Sequence, residues 1–273
     1  MSGHGADSTH RSTAPYESFR ANFDQSFLLA RLIHDAGMVE VRGVLDSTDR
    51  VVSRVSGLDV ASFVALSDEA KTALDARITR DDEREMAAEV SRADQIAQLA
   101  TTTVLQVLLI FMVTIFEAYL EDLLRLICST SPLLLDAAER GLAQASGKNP
   151  PQGKALTRDA EKRIRELFAA GWDDIIPGVF GQGFGLAVVE LCTAAKTTPQ
   201  GLDRIKVVRN LYAHRGGIID RKALDRLGDS RYTIGERYPL DYAFLVSAKD
   251  QLFFFGLGLD MLATAKYPEI SDR

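Results

Sequence analysis

The run Val208-Arg209-Asn210-Leu211-Tyr212-Ala213-His214-Arg215-Gly216-Gly217 sets an arginine and a histidine five residues apart at the end of a predicted helix. The chain has four histidines, and His214 is the one set in apolar, helix-like sequence close to several arginines. An imidazole titrates near neutrality and moves protons, while a guanidinium clamps a phosphate through two parallel hydrogen bonds. That pairing points to phosphodiester chemistry.

A single helix must carry both groups. Thr198 followed by Pro199 reads as an N-cap with proline in the first helical position, and Gly216-Gly217 reads as the stop. At about 100° per residue, Leu211, Val208, Tyr212 and Ile205 share one arc, expected to face the core, with Arg204 at its edge. Arg209, Lys206, Asn210, Asp203 and His214 share the opposite arc with Ala213 and Leu202. Arg209 and His214 lie at the two edges of that arc, and Asn210 lies between them. Asn210 and His214 are four residues apart, so the amide is expected to hydrogen-bond the imidazole. From Arg204 to Lys222 there are six Lys/Arg against one acid, Asp220, a positive island suited to phosphate. The carbonyl-rich end of the helix favours a cation in its last turn, where His214 sits. A solvated polar face with a structural histidine has the same spacing, so the pattern alone leaves both readings open.

Bulk composition narrows the field. The chain has 273 residues, 46% of them hydrophobic and 26% charged, enough apolar material for one large core or two modest ones. A net charge of −6 argues against broad adhesion to nucleic acid, so any such contact must be a local basic patch. Cys128 and Cys192 form neither a disulfide framework nor zinc-ligand spacing, and no metal site or cofactor is expected. Cytosolic thiols and a cytoplasmic location follow as the simpler expectation. Val104 to Phe116 is apolar but too short to span a bilayer and runs into Glu117, Glu121 and Asp122, so a buried helix and no membrane partner are expected.

Helical patterning dominates the rest, and the fold class expected is all-α. Residues 1–15, rich in Ser, Thr, Gly and His, read as a disordered tail. Residues 16–98 read as an N-terminal helical extension: a helix over Tyr16 to Asp35, a short hairpin within Met38 to Val55, a helix from Ser67 to about Arg77, and another over Asp81 to Ala97. Residues 99–270 read as the main helical domain. Thr101 to Cys128 is its longest and most buried helix, apolar on all sides in its first half. Ser146 to Gly153 is a loop, Thr157 to Ala170 a charged helix, and Trp172 a core anchor. The glycines 178, 181, 183 and 185 mark a flexible loop, Arg231 to Pro239 a turn or second hairpin, and Leu240 to Ala265 the closing helix. The aromatic run Phe253 to Phe255 exceeds what one core-facing side buries and offers a self-association surface.

Three stretches together carry a family resemblance. RNLYAHRGGIID, FMVTIFEAYLEDLLRLI and GERYPLDYAFLVSAKDQL resemble the HEPN superfamily, in particular its RiboL-PSP-type group, over roughly residues 99–265. The resemblance implies an antiparallel helical bundle and a metal-independent endoribonuclease, a toxin or phage-defence effector, working as a homodimer on RNA with an antitoxin partner. It implies catalytic roles for Arg209, Asn210 and His214: His214 as general base or acid, Arg209 against the charge on the phosphate, Asn210 holding either one. Lys206 and Arg215 would steer the RNA backbone. Tyr212, on the core arc, reads as packing. Glu117 stands where the family has a recurrent acidic residue. It would brace Arg209 or form the polar edge of an amphipathic helix, the second being favoured. The alternative function is a non-catalytic HEPN-like scaffold that binds nucleotide, RNA or a partner protein through the same face. GLAQASGK, residues 141–148, departs from a phosphate loop in its glycine spacing and in Asn149, and is set aside.

Overall fold

The computed structural model of the protein describes residues 12–25, 80–148 and 159–271, besides Leu28 and Ser67. The chain divides into two compact units, residues 1–26 with 108–273 and residues 27–107. All that follows concerns the first unit, except where α2 is followed back to Arg80. The hairpin expected within 38–55, the helix expected over 67–77 and the loop beyond residue 148 lie outside the described residues.

Among the described residues the fold is all-α, with no strand. Helix α1 covers residues 14–25. The reading of residues 1–15 as a disordered tail fails at its end. Thr13 is fully buried, its hydroxyl accepts from the Tyr16 amide at 3.2 Å, and its own amide donates to Asp260 Oδ2 at 3.2 Å. The Thr13 hydroxyl also donates to Asp260 Oδ1. Thr13 is therefore a helix cap docked on the last helix. Behind it, Phe19 stacks on Tyr119 with ring centroids 5.0 Å apart, which ties α1 to the core.

Helix α2 runs unbroken over Arg80–Thr130, where two helices were expected. The junction, Gln98 to Thr103, holds no glycine or proline, and three threonines weaken a helix without ending it. Its stretch Thr102–Thr130 is long and apolar enough, by length and composition, to cross a membrane. Met112, Val113 and Phe116 on it are fully buried in the unit's core, while Phe111 is 48% exposed, so the helix is not covered on all sides.

Helix α3, Pro132–Ala145, follows at once and packs on a π-helix, Ile176–Gly183. This π-helix stands where a flexible glycine loop was expected. A Cβ on Gly141 would lie 2.1 Å from the Gly178 carbonyl oxygen and 2.6 Å from the Gly183 nitrogen. These glycines bring two backbones into contact, a role that local composition cannot separate from looseness. Helix α4, Ala160–Phe168, is capped by Asp159, and α5, Trp172–Ile175, carries the fully buried Trp172 as expected. Trp172 meets Phe116 edge-on at 5.0 Å.

Helix α6, Val188–Ala194, leads to α7, Pro199–Arg215, then α8, Arg221–Leu227, and α9, Tyr242–Lys266. A single 3₁₀ turn, Pro268–Ile270, follows. The segment 231–239 contains the expected turn, with Glu236 N donating to Thr233 O at 3.3 Å, and no hairpin. It forms one antiparallel bridge, Ile218 to Arg237, flanked by Ile219 N to Glu236 O at 2.8 Å and Tyr238 N to Gly217 O at 2.9 Å.

Candidate functional site

Helix α7 has the bounds its caps prescribe. The Thr198 hydroxyl accepts from Gly201 N at 2.9 Å, Pro199 opens the first turn, and Gly216 ends the helix in the left-handed region at φ 58°. Gly217 continues it at φ 87°, and a Cβ there would sit 2.6 Å from the Tyr212 ring. Tyr212 is buried, its hydroxyl donates to the Tyr238 carbonyl, and Arg237 lies 5.9 Å over its ring. Tyr212 packs, as its arc indicated; burial also raises the pKa of its hydroxyl above the usual range.

The polar arc of α7 is not one solvated face. Leu202, Asp203 and Val207 are buried, because this helix has neighbours on several sides and not on a single core side. Asp203, 4% exposed, accepts from the Trp172 backbone N–H at 2.9 Å and from Arg226 on α8 at 2.5 and 2.7 Å. It fastens both α5 and α8 to α7. Burial and the nearby Asp203 carboxylate together push the pKa of Asp173 up.

Glu117 on α2 reverses the preference for a polar helix edge. One of its oxygens accepts from Arg209 Nη2, and the other lies 3.2 Å from Lys206 Nζ. Lys206 is only 12% exposed and also sits 5.4 Å over the Trp172 ring. Lys206 therefore neutralises a largely covered carboxylate and does not line the groove that holds His214. Arg209, 15% exposed, also donates to Asn210 Oδ1 at 2.8 Å and to the Thr114 hydroxyl at 3.4 Å. Its Nε has no hydrogen-bond partner among the described residues.

Asn210 and His214 do come together, though without the expected hydrogen bond. The amide oxygen is turned to Arg209, and the His214 imidazole has no partner among the described residues. Both line a groove of about 300 Å³ between α7 and α8, together with Arg215, Asp220, Lys222 and Arg226. Arg215 is exposed and 3.5 Å from Asp220. Arg209 stands behind this groove and touches it through Asn210. Within one chain the arrangement runs Glu117, Arg209, Asn210, then the groove that holds His214.

The positive island is weaker than local counting implied. Arg204 meets Asp229 at 3.5 Å, and Lys206 and Arg209 share Glu117. Arg221 and Lys222 have no ion-pair partner among the described residues, and Lys222 faces the groove. Glu117, Asp203 and Asp229 lie outside the window in which charge was counted. The sequence did carry one signal for Glu117, the first acid to follow a long apolar run on its helix, where an unpaired charge would be costly. No group of three or more His, Cys, Asp or Glu side chains among the described residues is placed to hold a metal ion.

Comparison of the chain with protein-family models, with curated proteins and with solved structures gave no match.

Proposed function

We propose that this protein is a metal-independent endoribonuclease of the HEPN type, acting in the cytoplasm as a toxin or phage-defence effector held by an antitoxin. The observation that carries the reading is the groove in which the His214 imidazole, without a hydrogen-bond partner among the described residues, stands beside Asn210, itself hydrogen-bonded to a guanidinium that Glu117 holds in place. Positively charged Arg215, Lys222 and Arg226 line the same groove.

RNA brings its own nucleophile, so the step needs no metal-bound water. His214 takes the proton of the 2′-hydroxyl, whose oxygen forms a bond to the adjacent phosphorus. The bond from phosphorus to the 5′-oxygen breaks, leaving a 2′,3′-cyclic phosphate. A protonated imidazole, supplied by a second copy of the chain in a homodimer, returns a proton to the departing oxygen. Arg209 keeps one Nη1 hydrogen not used by Glu117, Thr114 or Asn210 and, from behind the groove, stabilises the extra negative charge of the pentacoordinate phosphorus. Glu117 and Asn210 act through Arg209 as positioning residues.

A second reading has its own support. The Arg209 charge is already met by Glu117, which suits a scaffold that binds RNA, nucleotide or a partner without cutting. Incubating the purified protein with RNA in EDTA separates the two. The ribonuclease cuts, and Arg209→Ala and His214→Ala do not; retention without products by wild type would favour the scaffold.

A further inference from the structure

The groove that holds His214 is walled by two helices, each giving a pair of side chains four positions apart: Asn210 and His214 on α7, Lys222 and Arg226 on α8. Four residues span about 6 Å of helix, so the members of each pair stand on neighbouring turns of one face. The buried Val207, Leu211 and Ala223 lie between the two pairs as an apolar floor. Groups able to meet a phosphate are thus confined to the walls.

Most of the positive charge near this groove is already matched. Arg209 stands behind it on Glu117. Arg226 directs Nη2 at both oxygens of the buried Asp203, at 2.5 and 2.7 Å. Arg215 lies 3.5 Å from Asp220, the one acid among the lining residues. Lys222 is the lining cation with no ion-pair partner among the described residues.

We propose that Lys222 is a catalytic residue: its ammonium donates to a non-bridging oxygen of the scissile phosphate, across the groove from His214. The inference rests on the reading of the groove as RNA-cutting, and it adds the cation that touches the phosphate where Arg209 acts from behind. The charge requirement carries it. A phosphodiester brings one negative charge into the groove, more develops as the phosphorus becomes pentacoordinate, and Asp220 stands close by. Arg226 can turn to the phosphate only by leaving the buried Asp203 without its cation, a costly exchange. Lys222, a point charge on a flexible stem, gives up no such partner. Arg221 beside it has no ion-pair partner among the described residues either, but it points about 100° away around α8 and does not line the groove.

The test compares Lys222→Ala and Lys222→Arg with Arg221→Ala, which removes the same charge from the adjacent position. All three sites are exposed, and circular dichroism checks that the variants fold. A 2′-fluoro RNA oligonucleotide, which lacks the nucleophile, is titrated against the full chain at several salt concentrations. Cleavage of ordinary RNA of the same sequence is timed in EDTA at saturating protein. Lys222→Ala is expected to slow cleavage by about 100-fold. It is also expected to flatten the slope of log affinity against log salt by about 0.7. Lys222→Arg is expected to regain the slope and part of the rate, since the charge returns with a different donor geometry. Arg221→Ala is expected to cleave at the wild-type rate. In NMR spectra the 2′-fluoro RNA is expected to shift the His214 ring signals of wild type, identified by their loss in His214→Ala, and to leave those of Lys222→Ala in place at the same concentration. Wild-type cleavage by Lys222→Ala, with His214→Ala inert, overturns the role of Lys222 and leaves the ribonuclease reading standing. An equal loss of rate in Arg221→Ala does the same, because the effect is then one of diffuse charge. No binding and no cleavage of any RNA overturns both.

Discussion

Glu117 on α2 and Arg209 on α7 are ninety-two positions apart in sequence and form one ion pair, with Lys206 on the carboxylate's second oxygen. The pair ties the central core helix to the helix that bears His214. It also fixes the direction of the guanidinium, and through it the Asn210 amide at the groove. The geometry that the proposed chemistry needs is thus built by a residue outside the motif.

Removing that carboxylate leaves two largely covered cations facing each other. Glu117→Gln is expected to lower unfolding stability by about 2–3 kcal/mol, below a fully buried pair because Glu117 is a quarter exposed. Urea denaturation measures it. The double variant Glu117→Gln/Arg209→Gln is expected to lose about 1–2 kcal/mol less than the sum of the single changes. Strict additivity would show that the two side chains do not interact.

Asp203 serves two donors on two different elements. Asp203→Ala leaves the Trp172 N–H and Arg226 without their acceptor and is expected to cost about 3 kcal/mol. Asp203→Asn keeps an acceptor and is expected to cost less. Because Arg226 lines the groove, RNA affinity is expected to fall in both. Denaturation midpoints read with binding titrations check the order Ala before Asn.

The glycines of α3 and the π-helix give a contrast within one experiment. Gly141→Ala drives a methyl group into the Gly178 carbonyl, and is expected to destabilise by about 3 kcal/mol. Gly147→Ala, at φ 63° with no atom of the described residues within contact of the added methyl, is expected to lose about 1 kcal/mol from backbone strain. Equal thermal shifts in the two variants would contradict close packing at Gly141.

Burial pushes the Cys128 thiol up to about 12 and the Cys192 thiol up to about 11. A group whose pKa is raised on folding contributes stability that is present below its unfolded value, near 9, and is lost as the pH climbs through the folded one. Stability is therefore expected to decline from about pH 9 towards pH 12. Native alkylation by iodoacetamide at pH 8 is expected to be far slower than alkylation in urea, and mass spectrometry of the two reactions decides it.

What was readable in the sequence, and what was not, follows the range of the interactions involved. The ends of α7 were legible because Thr198, Pro199 and Gly216 act on neighbouring peptide groups. Trp172 and the packing role of Tyr212 were legible from apolar patterning. Glu117 on Arg209, Asp203 on Arg226 and Gly141 on Gly178 were not, since each partner lies on another helix and no local spacing encodes it. The same limit misled the wheel: a helix with neighbours on several sides buries Asp203 and Lys206 on what a single-faced reading leaves to solvent. The all-α class survived these errors because it rests on many local signals at once.

The most direct test of the central claim is the chemistry at a single bond. An RNA oligonucleotide and its 2′-O-methyl counterpart are incubated with the protein in EDTA, and the product ends are identified by mass spectrometry. Wild type is expected to leave a 2′,3′-cyclic phosphate and a 5′-hydroxyl on the first and to spare the second, with His214→Ala and Arg209→Ala inert. Cleavage that persists in the 2′-O-methyl strand, or that both variants perform at the wild-type rate, would contradict it.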